Sequence, residues 1–255
     1  HSEMRYGENP HQQAAAYKAP GDFSNNILNA KIHQGKQLSY NNIMDADGAL
    51  ACVRDFDGSA CVVVKHANPC GVAVDGDLLD VYNRAFNADP LSAFGGIVAF
   101  NRTCTKEVSE AITSVFVEIV LAPGFDPEAL DVFKKKKNLR VLEIGEFGKR
   151  SKKLEVRNVD GGLLVQNVDT KIISKKDLVF VTNAQPSEQD IDTTLFAWKV
   201  LRHAKSNGIL IITAGHQRAK QNPWRQCSLR LGKAGYIRKK NLSQPIAPQC
   251  AHIHP

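Results

Sequence analysis

The sequence has no apolar run approaching the roughly 18 to 20 residues that a membrane-spanning helix needs. Its first twenty residues also lack the basic segment followed by an apolar segment that marks a secretory signal. We therefore expect a cytoplasmic protein that does not bind membranes. The six cysteines form no C-x-x-C pair and are scattered in or beside apolar segments, which argues against a disulfide framework or a zinc knot. We expect reduced thiols.

Acidic residues are absent from one part of the chain. Residues 213–255 hold eight Lys or Arg and no Asp or Glu, whereas residues 1–212 hold 25 basic and 26 acidic residues. The net charge of +7 therefore comes from the C-terminal segment alone. That segment also loses the hydrophobic periodicity of the preceding sequence and is rich in Gln and Pro. We expect an atypical basic tail there.

The rest of the chain alternates helix patterns with short apolar strand patterns, which predicts an α/β fold. We expect a largely parallel sheet with helices on both faces. The basic stretch GKRSKK after residue 147 divides the chain into a first unit, 1–150, and a second unit, 151–212. The predicted helices are 43–56, 78–88, 106–113, 127–137 and 188–204, and the predicted strands are 60–64, 97–100, 116–121, 139–144, 161–166 and 208–212.

The stretch VVVKHANPCG places Lys65 and His66 at the end of a buried strand. Ligands gather at the carboxyl ends of strands in open parallel sheets, so we expect the pair to lie at a ligand site. An ammonium close to an imidazole disfavours the imidazolium, which leaves His66 able to accept a proton. The plain alternative is a solvated strand end followed by a hydrogen-bonded loop histidine, and the dipeptide alone does not exclude it.

Zinc-dependent deamination is a second chemistry that this stretch could suggest. Nucleoside deaminases use H-x-E and P-C-x-x-C segments around a nucleotide-sized pocket. Here Asn68 stands where the glutamate is needed, and Ala73 stands where the second cysteine is needed. One thiolate and one imidazole cannot complete a zinc site, so we predict no metal.

The segment RYGENPHQ, residues 5–12, is a polar loop bounded by Gly and Pro. Its guanidinium, phenol and imidazole, from Arg5, Tyr6 and His11, are suited to binding a phosphate or carboxylate through charge-assisted hydrogen bonds. A solvated N-terminal loop is the alternative.

Two further loops carry candidate site residues. In DPLSAFGGIVAFN, Gly95 would let the backbone approach a flat ligand while Phe94 stacks on it, although a helix-to-strand turn with a core phenylalanine is the alternative. In AKSNG, Lys205 and Asn207 follow a helix and precede a strand, at a predicted sheet edge.

In this order and spacing, the segments RYGENPHQ, LSYNNIMDAD, VVVKHANPCGVAV, DPLSAFGGIVAFN, FVEIVLAP, GGLLVQ and FAWKVLRHAKSN closely resemble the AICAR transformylase domain of the bifunctional AICAR transformylase/IMP cyclohydrolase family of purine biosynthesis. The resemblance spans about residues 4–212. It implies two cytidine-deaminase-like α/β/α subdomains without zinc, the second incomplete here. It also implies formyl transfer from the cosubstrate 10-formyltetrahydrofolate to the 5-amino group of AICAR ribonucleotide, in a homodimer.

The resemblance assigns roles to residues of this chain. His66 matches the family's proposed base, and Lys65 matches the partner that keeps this histidine neutral and assists the oxyanion or the leaving folate nitrogen. Asn207 matches an asparagine that orients the amine and formyl groups. The positions that match the nucleotide site or its surroundings are Arg5, Tyr6, His11, Phe94, Gly95 and Glu118.

The chain also departs from the family. The sequence opens inside the transformylase segments, so we expect it to lack the cyclohydrolase domain that precedes them in the family. The residues after Ile212 do not resemble the family's continuation, as after a reading-frame shift or a truncated gene prediction. We therefore expect apolar faces such as Phe196, Val200 and Ile211 to be partly uncovered, and we expect little activity. The alternative function is a non-enzymatic, basic-tailed protein that binds nucleotides or nucleic acid. The tail has no aromatic pattern typical of nucleic-acid binding, so we do not expect a nucleic-acid partner.

Overall fold

The computed structural model describes residues 2–148, 154–181, 183–204, 210–214 and 225–229. The helices are α1 (Tyr40–Val53), α2 (Leu78–Ala88), α3 (Pro90–Ala93), α4 (Lys106–Thr113), α5 (Pro127–Phe133) and α6 (Glu188–Leu201). The strands are β1 (Ser2–Glu3), β2 (Ala15–Ala16), β3 (Lys31–Gln34), β4 (Ala60–Lys65), β5 (Asn68–Val74), β6 (Ile97–Phe100), β7 (Ile119–Ala122), β8 (Arg140–Glu143), β9 (Leu154–Val159), β10 (Gly162–Asn167), β11 (Leu210–Ala214) and β12 (Arg225–Leu229). Short 3₁₀ turns cover Ile27–Asn29 and Lys175–Asp177.

Eight strands form one sheet in the order β11-β12-β5-β4-β6-β7-β8-β3. The α/β prediction is confirmed, but the prediction of a largely parallel sheet is wrong. Among the described strands of this sheet, β6 pairs with β7 and β7 with β8 in parallel, and the other neighbours are antiparallel. The physical reason is a hairpin, because NPCGVAV is strand β5 and runs straight back along β4, whereas a parallel neighbour would need a crossover connection.

Helices cover both faces of this sheet, and the strands alternate between the two covering layers. In β4, Val62 and Val64 belong to the cluster packed under α1 and α6, whereas Cys61 and Val63 belong to the cluster under α2, α4 and α5. Every residue of β6 and β7 is buried, as expected for strands that are covered on both faces. The central strands are thereby fixed from both sides, which makes their ends a firm support for a site.

Two helices begin with a reciprocal capping box that the sequence encodes locally. Ser39 and Asn42 exchange side-chain and backbone hydrogen bonds at the start of α1, and Ser187 and Asp190 do so at the start of α6. Helix α1 therefore begins three residues before the predicted position, whereas α6 begins at the predicted Glu188. The early start of α1 puts Asn42 in its first turn.

Helix α6 contributes to the core. Phe196 and Val200 are 3% and 0% exposed and belong to the same cluster as α1 and β4, and the ring centroids of Phe196 and Phe56 lie 5.7 Å apart. The expectation that both side chains would be partly uncovered is therefore wrong, because α6 packs over the α1 face of the sheet. The side chain of Ile211 lies outside the described residues. The predicted division after residue 150 stays a prediction.

The strand predicted at 161–166 is present as β10, but the sequence analysis missed its partner β9. The two strands form a separate antiparallel hairpin in which every residue is exposed. Strand β12 lies within the basic segment 213–255 and pairs with β5 and β11, while most of that segment lies outside the described residues.

Two predictions from composition can be compared with the described part of the chain. No helix there is long and apolar enough to cross a membrane. The four cysteines described with their side chains, at positions 52, 61, 70 and 104, are buried, and none of these four is part of a disulfide.

Candidate active site

Four strand ends meet at one edge of the central sheet. Val64, Ile97, Ile119 and Arg140 are paired across β4, β6, β7 and β8 in a single row. This edge holds the carboxyl end of β4 but the amino ends of β6, β7 and β8, because β4 runs antiparallel to the other three. The expectation of a site at the carboxyl ends of parallel strands is therefore wrong for this sheet, although the edge does collect the predicted residues.

Lys65 is the last residue of β4, and its ammonium is held by backbone carbonyls. Its Nζ donates a hydrogen bond of 2.7 Å to the Gly95 carbonyl oxygen and one of 3.3 Å to the Phe94 carbonyl oxygen. The side chain is half-buried, so these carbonyls replace part of the water around the charge. The cation is thus fixed at the sheet edge instead of extending into solvent.

Gly95 is shaped for this contact. Its φ of 67° lies in the left-handed region, and its N–H donates to the Phe116 carbonyl oxygen at 2.8 Å. A Cβ at this position would lie 2.9 Å from Phe116 Cε1 and 3.1 Å from Lys65 Nζ. Only glycine combines this backbone conformation with these two close neighbours.

His66 occupies the tight turn between β4 and β5. Lys65 and Asn68 are paired, so His66 and Ala67 form a two-residue turn, with φ of 52° and 56°. The His66 side chain is exposed, whereas Ala67 and Asn68 are half-buried. The Asn68 side chain donates to the His66 carbonyl oxygen at 2.8 Å. The imidazole therefore stands at the tip of a tightly held turn, where a substrate has access to it.

Asp45 on α1 contacts this turn directly. Its Oδ1 accepts a hydrogen bond of 2.7 Å from the Ala67 N–H. Burial raises the pKa of the Asp45 carboxyl from its ordinary value of 3.8, while the backbone N–H groups of Ala67 and His66 and the basic side chains of His66 and Lys65 oppose that rise. A partly buried carboxylate thus faces both basic residues of the predicted catalytic pair.

Phe94 and Phe116 form an aromatic patch beside Lys65. Their ring centroids lie 5.3 Å apart at an angle of 52°, and the residues are 60% and 49% exposed. The alternative of a core phenylalanine at position 94 is therefore wrong. A flat ligand could stack on such a surface, and contact between Phe94 and a substrate ring stays a prediction.

Glu118 lies just before β7 and connects the edge to α1. Its Oε2 accepts a hydrogen bond of 3.1 Å from the Asn42 side chain. Arg140 is the first residue of β8, and burial lowers the pKa of its guanidinium. Glu118 and Tyr6 oppose this shift, whereas the positive charge of Arg5 adds to it. Arg140 therefore interacts electrostatically both with Glu118 and with two predicted nucleotide-site residues of the N-terminal loop, Tyr6 and Arg5.

The N-terminal loop is attached to the start of α1. The Asn41 side chain donates to the Glu8 carbonyl oxygen at 3.1 Å, and the Arg5 guanidinium carbon lies 5.4 Å from the centre of the Tyr6 ring. His11 is exposed, in the turn that the Gly7 N–H closes onto Gln12. Asn207 lies outside the described residues.

Three residues of the edge were missed by the sequence analysis: Asn42, Asp45 and Arg140. The first two stand three positions apart on α1 and therefore share one helix face. The capping box that starts the helix at Tyr40 was the signal that could have found them. No comparable signal marks Arg140, because a basic residue shortly after a run of lysines is typical of a solvent-exposed surface. Its Nε instead donates to the Lys36 carbonyl oxygen at 3.1 Å.

The other member of the failed zinc pattern, Cys70, faces the core. Its Sγ donates to the Val63 carbonyl oxygen at 3.4 Å, and burial raises its thiol pKa to about 12. Across the part of the chain that the structure describes, no three His, Cys, Asp or Glu side chains form a group suited to a metal ion.

A cavity of about 370 Å³ lies away from this edge, between α1 and the 17–29 segment. Ile43, Met44 and Asp47 line it, and on a helix of 3.6 residues per turn they face away from Asn42 and Asp45. We place the candidate site at the sheet edge, because the predicted residues and the shifted pKa values of Asp45 and Arg140 are found there.

A comparison with known protein families identifies the same family that the sequence motifs of the candidate site resemble. The model of a family described as the AICARFT/IMPCHase bienzyme matches residues 1–219, which is most of the chain and includes all the strands of the candidate site. The abbreviations stand for AICAR formyltransferase and IMP cyclohydrolase, two activities of purine biosynthesis. The chain therefore belongs to the AICARFT/IMPCHase bienzyme family of bifunctional purine biosynthesis enzymes.

Proposed function

We propose that this chain carries the formyltransferase site of the family and transfers a formyl group from 10-formyltetrahydrofolate to the 5-amino group of AICAR ribonucleotide. The observation that carries the proposal is the pairing at one sheet edge of an exposed imidazole, His66, with an ammonium, Lys65, that two backbone carbonyls hold in place. A base and a fixed cation are the two groups that acyl transfer to a weak amine requires.

In the proposed reaction, the amine nitrogen of AICAR forms a bond to the formyl carbon while His66 takes the amine proton. The formyl oxygen then carries negative charge. An ammonium has three N–H donors, so Lys65 can keep its two carbonyl contacts and direct the third N–H to that oxygen. The bond between the formyl carbon and folate N10 breaks next, and N10 takes up the proton from the His66 imidazolium.

The proposal gives the remaining residues binding roles. Arg5, Tyr6 and His11 bind the nucleotide, Glu118 lies in its site, and Phe94 and Gly95 approach its ring. Asn207 orients the amine and formyl groups. These assignments rest on the motif matches, and the electrostatic interactions of Arg140 with Glu118 and with Arg5 and Tyr6 support them, because Arg140 lies at the catalytic edge and Arg5 and Tyr6 lie in the N-terminal loop. No metal takes part.

We also propose that the protein acts in the cytoplasm as a homodimer, as the resemblance to the family implies. The exposed β9–β10 hairpin and the exposed Phe94–Phe116 patch leave apolar surface for a second copy. Light scattering across a dilution series tests this. A mass of one chain at every concentration would overturn the dimer and leave the proposed reaction standing.

The reaction is tested by incubating purified protein with both substrates and following tetrahydrofolate and formyl-AICAR. Because residues 213–255 do not resemble the family, we expect slow turnover, and excess enzyme in single-turnover conditions makes a slow reaction measurable. Product must require both substrates and native protein. Binding of AICAR alone is measured in parallel by calorimetry. Absence of both binding and product would overturn the proposal.

A further inference from the structure

The turn that carries His66 is built from residues that disfavour its geometry. His66 and Ala67 both have left-handed backbones, with φ of 52° and 56°. Two-residue hairpin turns with positive φ at both positions select Asn-Gly or Gly-Gly, because a side chain crowds the backbone there. His-Ala is therefore a strained pair. Such strain persists only where the surroundings hold it in place.

Helix α1 supplies the support from outside the hairpin. Asp45 Oδ1 accepts the Ala67 N–H at 2.7 Å, and the His66 N–H also interacts with the same carboxyl. Gly48 lies one helical turn further on, where a Cβ would stand 3.7 Å from the Ala67 carbonyl oxygen. The helix backbone is thus close against the turn, and Asp45 is the side chain that receives its N–H groups.

We propose that Asp45 is a positioning residue, which holds the strained His66–Ala67 turn through its hydrogen bond to the Ala67 N–H and so fixes where the His66 imidazole stands. The catalytic part of this inference rests on the proposed function, in which His66 is the base. The structural part stands on the geometry of the turn alone. Asp45 itself touches no reacting atom in this scheme.

Substitutions at Asp45 and Ala67 can separate three effects on the turn: the hydrogen bond to Asp45, the charge of its carboxylate and the backbone strain. Asp45→Ala removes the acceptor, whereas Asp45→Asn keeps an acceptor oxygen and removes the charge. Ala67→Gly relieves the strain, because glycine adopts positive φ without a steric penalty. The double variant Asp45→Ala/Ala67→Gly therefore needs no carboxylate to form the turn. Asp47→Asn is the matched control, since Asp47 is exposed on the opposite face of the same helix.

The structural part is tested on the full chain by amide hydrogen exchange and by the amide proton shift of Ala67. In the wild-type protein we expect this amide to be protected by its hydrogen bond to Asp45, and we expect its shift to follow the titration of Asp45. We expect both properties to be lost in Asp45→Ala and unchanged in Asp47→Asn. An Ala67 amide that keeps its protection and its titration in Asp45→Ala would overturn the proposal, whatever the enzyme activity is.

The catalytic part is tested by kinetics. We expect Asp45→Ala to lower kcat on the order of 100-fold, because a displaced base is a poorly aligned one, while the KM for AICAR changes less than about threefold. Adding Ala67→Gly should restore most of kcat, and Asp45→Asn should retain more activity than Asp45→Ala. A rescue of this kind separates positioning from a general loss of folding. Failure of Ala67→Gly to raise kcat above that of Asp45→Ala would overturn the positioning role.

The two parts distinguish failure of this inference from failure of the proposed function. If wild-type protein forms no formyl-AICAR, the proposed reaction fails, and the Ala67 amide alone decides whether Asp45 holds the turn. If wild-type protein is active and Asp45→Ala matches it, the positioning role fails and the proposed reaction stands.

Discussion

The ammonium of Lys65 donates a 2.7 Å hydrogen bond to the carbonyl oxygen of Gly95, which lies in the loop before the neighbouring strand β6. This bond connects the end of β4 to the start of β6. Because the cation is held by backbone, its position depends on the conformation of Gly95 and not on a flexible acidic partner. The first predictions concern these two residues and the adjacent histidine.

Replacing Lys65 by Arg tests whether geometry or charge is required. Arg keeps the positive charge, but its planar guanidinium is wider than an ammonium and directs its N–H groups differently, so we do not expect it to reproduce the contacts that Lys65 Nζ makes with the Gly95 and Phe94 carbonyl oxygens. We expect kcat to fall about 100-fold, the size of effect seen when one oxyanion donor is lost. Lys106→Arg on the exposed face of α4 is the control. Equal activity of Lys65→Arg and wild type would mean that only the electric field matters.

Replacing His66 by Ala tests the proposed base. The exposed imidazole acts mainly in the transition state, so we expect kcat to fall at least about 100-fold, with AICAR affinity within a few-fold of wild type. Added imidazole should restore part of the rate, because the vacated turn is open to solvent. Single-turnover kinetics and calorimetry measure the two quantities. Unchanged turnover would remove His66 from the mechanism.

Replacing Gly95 by Ala tests the close approach behind Lys65, with Gly21→Ala as a matched control. Both glycines have left-handed backbones, with φ of 67° and 74°, but a Cβ at Gly21 meets nothing within 4 Å. Gly21→Ala should therefore cost about 1 to 2 kcal/mol of unfolding free energy, from backbone conformation alone. Gly95→Ala should cost about 1 to 3 kcal/mol more from overpacking. Urea denaturation measures both, and equal losses would contradict the crowding at Gly95.

The sequence predicted the central strands and helices well where its patterns were local. The apolar runs of β4, β6 and β7 and the exact bounds of α2 and α4 follow from periodicity and capping. Strand pairing was wrong because the hairpin turn is His-Ala. An Asn-Gly turn would have predicted a hairpin. The His66–Ala67 turn has no such signal, because its left-handed backbone is held by the hydrogen bond of Ala67 to Asp45, which lies 22 positions earlier in the chain.

The candidate site was predicted in part for the same reason. Lys65 ends an apolar strand and His66 follows it, which is a local signal, whereas Glu118 was assigned only through the resemblance to the family. The side chains that support them come from other elements. Asn42 reaches Glu118 over a separation of 76 positions, and no pattern in the sequence expresses such a tertiary contact. Sequence reasoning therefore found the residues proposed to act, and missed the residues that hold them.

The Asp45 carboxyl should make stability depend on pH. Its folded-state pKa is raised above the ordinary value of 3.8, so between these two values the folded protein binds more protons at this site than the unfolded chain does. Stability contributed by Asp45 is thus present below 3.8 and is lost as pH rises through the folded pKa. Asp45→Asn has no titrating group at this position, so it does not lose stability in this way. As the pH rises from 3.8 through the folded-state pKa of Asp45, we expect the unfolding free energy of the variant minus that of wild type to increase, and at higher pH we expect this difference to become constant. A difference independent of pH would contradict the raised pKa.

Removing the Phe196 side chain tests whether α6 and the central sheet form one cooperative core. Phe196 is 3% exposed and packs with Phe56, so Phe196→Ala should cost about 3 to 5 kcal/mol of unfolding free energy. Phe23→Ala, at a position that is 92% exposed, is the control and should change it by less than about 0.5 kcal/mol.

Unfolding is followed by circular dichroism and by tryptophan fluorescence, to which Trp198 on α6 contributes. Because the two regions share one hydrophobic cluster, both probes should report one transition that shifts together in Phe196→Ala. A fluorescence transition that shifts alone would show that α6 unfolds separately, and would favour the predicted division after residue 150 over a shared core.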